Sequence, residues 1–135
     1  MGAFATIDEM LDHARSAIER LNPEEARRAQ QDGALIIDIR PLEQRRRDGC
    51  VDGAICIDRN VLEWRLAPSS PWRIADTVGR RLIVLCNQGF QSSLAAFMLS
   101  ALGLSGVADV DGGFEAWRSA GLPTVALENV PPPYL

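Results

Sequence analysis

The most informative segment of the chain is Arg81-Leu82-Ile83-Val84-Leu85-Cys86-Asn87-Gln88-Gly89-Phe90-Gln91-Ser92-Ser93. Its first five residues form an apolar run rich in branched side chains, which predicts a buried strand that ends at Cys86. A polar loop around Gly89 follows, and a helix is predicted from Gln91 or Ser92 to Leu102. The segment therefore predicts a strand, a tight loop and a helix, with a cysteine where the strand meets the loop.

Cys86 stands where backbone groups can stabilise a thiolate. In a glycine-containing loop of this kind, successive backbone N–H groups point inward and form an anion-binding nest. The N-terminus of the following helix adds about half a positive charge. The ordinary interpretation of a cysteine at a strand end is a buried structural thiol. The polar residues of the loop serve no core, however, so we expect Cys86 to be a nucleophile held by backbone amides.

Further apolar runs on either side of this segment predict three more strands, at Ala34–Ile39, Gly53–Ile57 and Gly106–Val110. Helices are predicted at residues 6–21, 22–33, 41–48, 91–102 and 113–120, with helical turns at 61–66 and 72–78. Strands that alternate with helices indicate an α/β fold, with a small, mostly parallel sheet and helices on both faces. In such sheets the active crevice lies beyond the carboxyl ends of the strands, where Cys86, Asp38 and Arg40 all stand.

The chain divides into three predicted parts. Residues 1–21 are expected to form an N-terminal helical extension, capped by Thr6 with Glu9 three residues later. Residues 22–125 are expected to form the α/β domain, and residues 126–135 a Pro-rich C-terminal tail, of which Val130–Leu135 cannot be helical. The extension and the tail are candidate arms for dimerisation, so a monomer and a homodimer both stay open.

Composition excludes several kinds of chemistry. The 135 residues carry a formal net charge of −4, and every basic residue is an arginine. Without lysine there is no Walker phosphate loop and no Schiff-base catalysis. The single histidine, His13, and the spacing of Cys50, Cys56 and Cys86 disfavour a zinc site, so no metal and no cofactor is expected.

Nucleic acids and membranes are also disfavoured as partners. The acidic balance opposes phosphate binding, and we expect the basic run Arg45-Arg46-Arg47 at the solvated end of a helix. No stretch approaches about 18 consecutive apolar residues, and the N-terminus lacks the pattern of a signal peptide. We therefore expect a cytoplasmic protein with reduced thiols.

Four segments, in order along residues 22–124, resemble the rhodanese-like single-domain sulfurtransferases. Leu35–Arg40 ends in Asp-x-Arg, Gly49–Ile55 stands in place of Gly-His-Ile-Pro-Gly-Ala, Cys86–Ser93 matches C-x-x-G-x-[R/S]-S, and Gly112–Trp117 matches Gly-Gly-[WF]-x-x-Trp. The absence of lysine and the segment 60–66 are similar to actinobacterial versions of the family. The resemblance implies the rhodanese-like fold.

The resemblance also implies a persulfide mechanism without a cofactor. Cys86 would take a sulfane sulfur from thiosulfate or a persulfide donor and pass it to cyanide or a thiol. The expected partner is thus a small sulfur-containing anion, a thiol or a persulfide. Asp38 and Arg40, at the end of the first predicted strand, would orient the loop or would form a structural ion pair. The expected substrate contacts come from Asn87, Gln88, Gly89, Phe90, Gln91 and Ser92.

Gln91 is the main departure, because the family often has an arginine at this position. We expect Arg59 to supply the missing positive charge at the loop. Its alternative is a surface arginine paired with Asp58 or Glu63. If no cation replaces the arginine, the alternative function is a catalytically weak sulfur-carrier or protein-interaction module of the same family.

Cys50 and Cys56 each have two possible roles. Cys50 and Cys56 could be resolving thiols for a Cys86 persulfide. The favoured interpretation places Cys56 in the core and Cys50 in a loop at the opposite edge of the sheet from the active crevice.

The related phosphatases need Cys-x5-Arg and a preceding histidine, whereas this chain has Ser92 and Leu85 at those positions. The three tryptophans are expected to be packing anchors: Trp64, Trp72 and Trp117.

Overall fold

The structure is a computed structural model that describes residues 2–135. Its helices are α1 (Ile7–Ser16), α2 (Pro23–Gln31), α3 (Leu42–Asp48), α4 (Leu62–Leu66), α5 (Gln91–Ala101) and α6 (Gly113–Ser119). Its strands are β1 (Glu19–Leu21), β2 (Leu35–Asp38), β3 (Cys50–Val51), β4 (Ile55–Cys56), β5 (Leu82–Leu85), β6 (Ala108–Val110) and β7 (Thr124–Val125). Short 3-10 turns cover Arg59–Val61, Ala75–Thr77 and Leu127–Asn129.

Five of the strands form a parallel sheet in the order β1-β6-β5-β2-β4. Along β2 the side chains alternate between two cores, because successive residues of a strand face opposite sides. Leu35 and Ile37 pack with residues of α4 and α5, whereas Ile36 packs with residues of α2 and α6. The predicted α/β fold with helices on both faces is confirmed. The carboxyl ends of the parallel strands meet at the edge that carries Cys86.

The predicted N-terminal helix is wrong beyond Ser16. The apolar spacing continues to Leu21, but Ala17 ends α1 and residues 19–21 pair in parallel with β6 as an edge strand. Hydrogen bonds to a neighbouring strand here override the local helical periodicity, which a three-residue strand is too short to reveal. The next helix follows the prediction, since Asn22 and Glu25 form a reciprocal capping box at the start of α2.

The predicted position of Cys50 is also wrong. Cys50 is fully buried in β3, where it pairs with Val125 of the antiparallel strand β7. Its sulfur lies within 4.8 Å of the Cys56 sulfur and an Asp38 carboxylate oxygen. The cause is the β3–β7 pairing, which turns the chain inward beside the carboxyl ends of β2 and β4. A two-residue strand has no periodicity from which this could be predicted.

The exposure of the large side chains brings further corrections. Trp117 is buried as predicted, but Trp64 and Trp72 are exposed. α4 is a short helix that buries Leu62 and Leu66 and leaves Trp64 on its outward side.

Within residues 2–135, no helix combines the length and apolar character that a membrane span needs.

Candidate active site

The Cys86 sulfur is surrounded by backbone donors at the carboxyl end of β5. The N–H groups of Gly89 and Ser92 point to Sγ, at N–S distances of 3.1 and 3.3 Å. Ser92 lies in the first turn of α5, where amide N–H groups have no partner within the helix. The sulfur therefore occupies the place of a helix-capping group, in an arrangement that stabilises negative charge on sulfur.

The loop carbonyl of Gly89 is fixed by two arginines. Arg15 of α1 and Arg20 of β1 donate to this oxygen at 2.8 and 2.9 Å. Gly89 has a φ of 90°, and a Cβ added there would lie 2.9 Å from the backbone nitrogen of Gly112. Glycine is thus required both by conformation and by space. Neither arginine was among the sequence candidates, because both lie far from Cys86 along the chain.

A buried acid, Asp109 of β6, binds the first turn of α5. Its Oδ2 accepts hydrogen bonds from the hydroxyl groups of Ser92 and Ser93, both at 2.8 Å. Its Oδ1 accepts from Arg20 Nε at 3.1 Å. Asp109 was not among the predicted site residues. Its available signal was a carboxylate inside an apolar strand, where an unpaired charge would be costly.

α6 supports the loop from the other side. Phe114 N–H donates to the Cys86 carbonyl at 2.8 Å, and Glu115 N–H donates to the Asn87 carbonyl at 3.1 Å. This approach requires Gly113, where an added Cβ would lie 2.5 Å from the Cys86 oxygen. The Gly-Gly pair before α6 therefore has a direct physical role in placing the loop.

A cleft of about 240 Å³ opens beside the sulfur. The predicted contact residues Asn87, Gln88, Phe90 and Gln91 line it together with Cys86. Gly89 and Ser92 contribute their amides at its base. The Phe90 ring is exposed, with the Arg15 guanidinium carbon 5.9 Å from its centroid. The geometry thus brings all the predicted loop residues together around one sulfur.

Asp38 and Arg40 form a buried ion pair at the wall of this cleft. Arg40 Nη2 donates to Asp38 Oδ2 and to the Gly49 carbonyl, both at 2.8 Å. The guanidinium carbon lies 3.9 Å from the centroid of the Phe114 ring. The pair therefore joins the ends of β2 and α3 to the helix that supports the Cys86 loop, as a positioning role requires.

Arg59 contacts the Cys86 loop through the side chain of Gln91. Its Nε donates to Gln91 Oε1 at 3.3 Å, and its Nη1 pairs with Glu63 at 2.8 Å. The pairing with Glu63 is the alternative that the sequence left open. Arg59 thus contacts Gln91, which stands where the family often has an arginine, but Arg59 is not among the residues that line the Cys86 cleft.

Cys50 and Cys56 have a different environment from Cys86. Burial, followed by the nearby Asp38 carboxylate, raises the pKa of the Cys56 thiol to about 12. The same two causes raise the pKa of Cys50. Asp38, Cys50 and Cys56 are close enough to share a metal ion. Arg40 already engages both Asp38 oxygens, and the thiols hold their protons, so this set is poorly suited to a cation.

The family model that matches residues 22–120 is the rhodanese-like domain. This chain belongs to the rhodanese-like domain family. The match spans the Cys86 loop, the Asp38–Arg40 pair and the Gly-Gly turn before α6, which confirms the resemblance. The organisms of the relatives described below do not test the actinobacterial character, which stays a prediction.

Known relatives share this domain at moderate identity. The thiosulfate sulfurtransferase GlpE of Pseudomonas entomophila is 36% identical over 104 residues, covering 77% of this chain and 88% of that protein. An uncharacterized Synechocystis protein is 31% identical over 103 residues. The match covers 76% of this chain and 52% of the length of the Synechocystis protein. A Rhodopseudomonas palustris structure, described as a possible tyrosine phosphatase of unknown function, has a TM-score of 0.82 at 33% identity. The match covers 93% of this chain and 98% of that one.

Proposed function

We propose that this protein is a sulfurtransferase that moves a sulfane sulfur from thiosulfate or a persulfide donor to a thiol or cyanide, through a persulfide on Cys86. The observation that carries the proposal is the Cys86 sulfur at the N-terminus of α5, with two backbone N–H groups directed at it. Relatives named thiosulfate sulfurtransferase, at about 35% identity, support a rhodanese-like enzyme.

The proposed reaction has two transfers and needs no base. The Cys86 thiolate attacks the outer sulfur of thiosulfate, the S–S bond breaks, and sulfite leaves with the electron pair. Cyanide or a thiolate then attacks the outer sulfur of the resulting persulfide, and the electron pair returns to Cys86 Sγ. The Gly89 and Ser92 amides are placed to stabilise the negative sulfur before and after each transfer.

We assign this activity to residues 22–125, with the segments 1–21 and 126–135 as flanking parts. The first segment takes part in the site, since Arg15 and Arg20 hold the Gly89 carbonyl. We place the protein in the cytoplasm, where thiols are kept reduced. A monomer and a homodimer both satisfy this scheme.

A sulfur-carrier or interaction module is the second candidate. Gln91 is uncharged, and the Arg59 charge is shared with Glu63. A dianionic donor would then bind weakly, and the loop would hold a persulfide without turning it over. A phosphatase is disfavoured, because the buried Ser92 hydroxyl donates to Asp109 and offers no positive charge to a phosphate.

Thiocyanate and sulfite formation from thiosulfate and cyanide tests the proposal. Wild type should turn over, and Cys86→Ser should not. Cys56→Ala is the matched control, since Cys56 is a buried thiol without the amide cradle. Persulfide formation on Cys86 without turnover would support the carrier, and the absence of both would contradict any sulfur chemistry at this site.

A further inference from the structure

A second cavity adjoins the Cys86 cleft. It has a volume of about 350 Å³ and shares Ile39, Arg40 and Pro41 with the cleft. Arg45 and Arg59 also line it. The two cavities therefore meet along one wall, with the reactive sulfur in the first and a group of arginines in the second.

Arg45 is a buried guanidinium that has no salt bridge with any acid among residues 2–135. Its side chain lies in α3 and is 5% exposed, although the sequence predicted it at a solvated helix end. Its Nε donates to the Arg40 carbonyl at 3.2 Å, and its Nη1 is buried with no hydrogen-bond partner among residues 2–135. Burying an unpaired charge costs free energy, and arginine cannot avoid this cost by losing a proton.

Two of the three acids at or near the cavity are paired with arginines. Asp38 is bound by Arg40, and Glu63 is bound by Arg59. Asp58 lines the cavity, and its Oδ1 accepts the Asn60 N–H at 2.8 Å. Arg40 adds a second buried Nη1 that finds no partner in the described part of the chain. Arg45 thus places a guanidinium charge at the cavity wall without an acidic partner among residues 2–135, and the cavity has room for a small anionic group.

We propose that this cavity binds the carboxylate of a small organic thiol, whose sulfur is the acceptor at Cys86. The inference rests on the proposed sulfurtransferase function. A planar carboxylate matches the fork of a guanidinium, and Asp58 in the wall repels a dianion such as phosphate more strongly than a monoanion. Arg45 is then a specificity-determining residue for the acceptor.

The transfer is balanced without a further reactant. The acceptor thiolate attacks the outer sulfur of the Cys86 persulfide, and a new S–S bond forms on the acceptor. The bond between Cys86 Sγ and the outer sulfur breaks, and its electron pair returns to Sγ. The acceptor leaves as a carboxylate-bearing persulfide.

A matched series of thiols tests this inference. The protein is loaded with thiosulfate, freed of excess donor, and mixed with mercaptoacetate, 3-mercaptopropionate or 4-mercaptobutanoate. The neutral counterparts are 2-mercaptoethanol, 3-mercaptopropan-1-ol and 4-mercaptobutan-1-ol. Loss of the Cys86 persulfide is followed by mass spectrometry, with each rate constant divided by the thiolate fraction. At the best chain length, the acid should react about tenfold faster than the alcohol, or more.

Arg45→Gln should remove this preference, whereas Arg46→Gln, at the exposed neighbour on α3, should retain it. Equal rates for acids and alcohols in wild type would overturn the inference, as would a preference that survives in folded Arg45→Gln. If that variant does not fold, competition in wild type decides. Propionate should slow transfer to the acid but leave transfer to the alcohol unchanged, and equal effects on both would overturn the inference. Failure of Cys86 to form a persulfide overturns the proposed function as well.

Discussion

The Cys86 loop and the Cys50–Cys56 pocket place the same side chain in opposite surroundings. All three cysteines are buried. Cys86 nevertheless receives two backbone N–H groups, whereas the pKa values of Cys50 and Cys56 are raised by burial and then by the Asp38 carboxylate. We therefore expect the direction of the neighbouring backbone dipoles and charges, and not burial alone, to separate the chemistry of Cys86 from that of Cys50 and Cys56.

The two regions also differ in how they are held. The Cys86 loop is fixed by Arg15, Arg20, Asp109 and the first turn of α6. The Cys50–Cys56 pocket is held by short strand pairings, including the β3–β7 pair and the bridge between Ile57 and Tyr134. The loop is therefore organised by polar groups that preserve one geometry, as preorganised sites require.

The largest expected effect separates the two kinds of thiol. Cys86→Ser should abolish sulfur transfer, because a serine oxygen cannot carry a sulfane sulfur as a persulfide. Cys50→Ala and Cys56→Ala should keep transfer and lose stability by about 1 kcal/mol or more, through lost packing. Turnover assays and chemical unfolding measure both. Loss of transfer in folded Cys56→Ala would show that the buried pair takes part in the reaction.

The next largest effect is expected at Asp109, the buried acid that binds the first turn of α5. Asp109→Asn breaks a buried ion pair and should cost about 3 kcal/mol of unfolding free energy. Displacement of the loop should lower turnover on the order of 10²-fold. Asp111→Asn is the matched control, since Asp111 also pairs with Arg20, at 2.9 Å, but its side chain is 64% exposed. Equal losses in the two variants would contradict a special role for the buried acid.

A pH experiment addresses the buried pair. Burial raises the pKa of Cys56 from an ordinary 9.0 to about 12, so the folded protein keeps a proton that the unfolded chain releases. This contribution to stability is complete below pH 9 and is lost as the pH rises toward 12. Unfolding free energies above pH 9 should therefore fall less steeply in Cys56→Ala than in wild type. Parallel declines would show that Cys56 has no part in the pH dependence.

The smallest expected effect is at the edge of the cleft. Arg59→Ala should raise the KM for thiosulfate by about fivefold, because a half-buried charge that is already paired with Glu63 contributes little. Arg46→Ala, an exposed arginine of α3, should leave KM unchanged. If Arg59→Ala also leaves it unchanged, Arg59 is a surface residue paired with Glu63.

Much of this arrangement could be predicted from the sequence. The apolar run 82–85, the loop to Ser93 and the capping box at Asn22 are local patterns, and the structure follows them. β1 and β3 were missed because strands of two or three residues are created by pairing and not by local propensity. Arg15, Arg20 and Asp109 were missed as site residues because only the sheet order brings them under the loop. Arg45 was misplaced because its basic neighbours suggested a solvated surface.

The role proposed for Cys86 is tested by the mass of the intact protein after incubation with thiosulfate. That role predicts a gain of about 32 Da, one sulfur atom, that peptide mapping assigns to Cys86 and that cyanide removes. Cys50 and Cys56 should stay unmodified. A sulfur found on Cys50 or Cys56, or no gain in mass on folded wild-type protein, would contradict it.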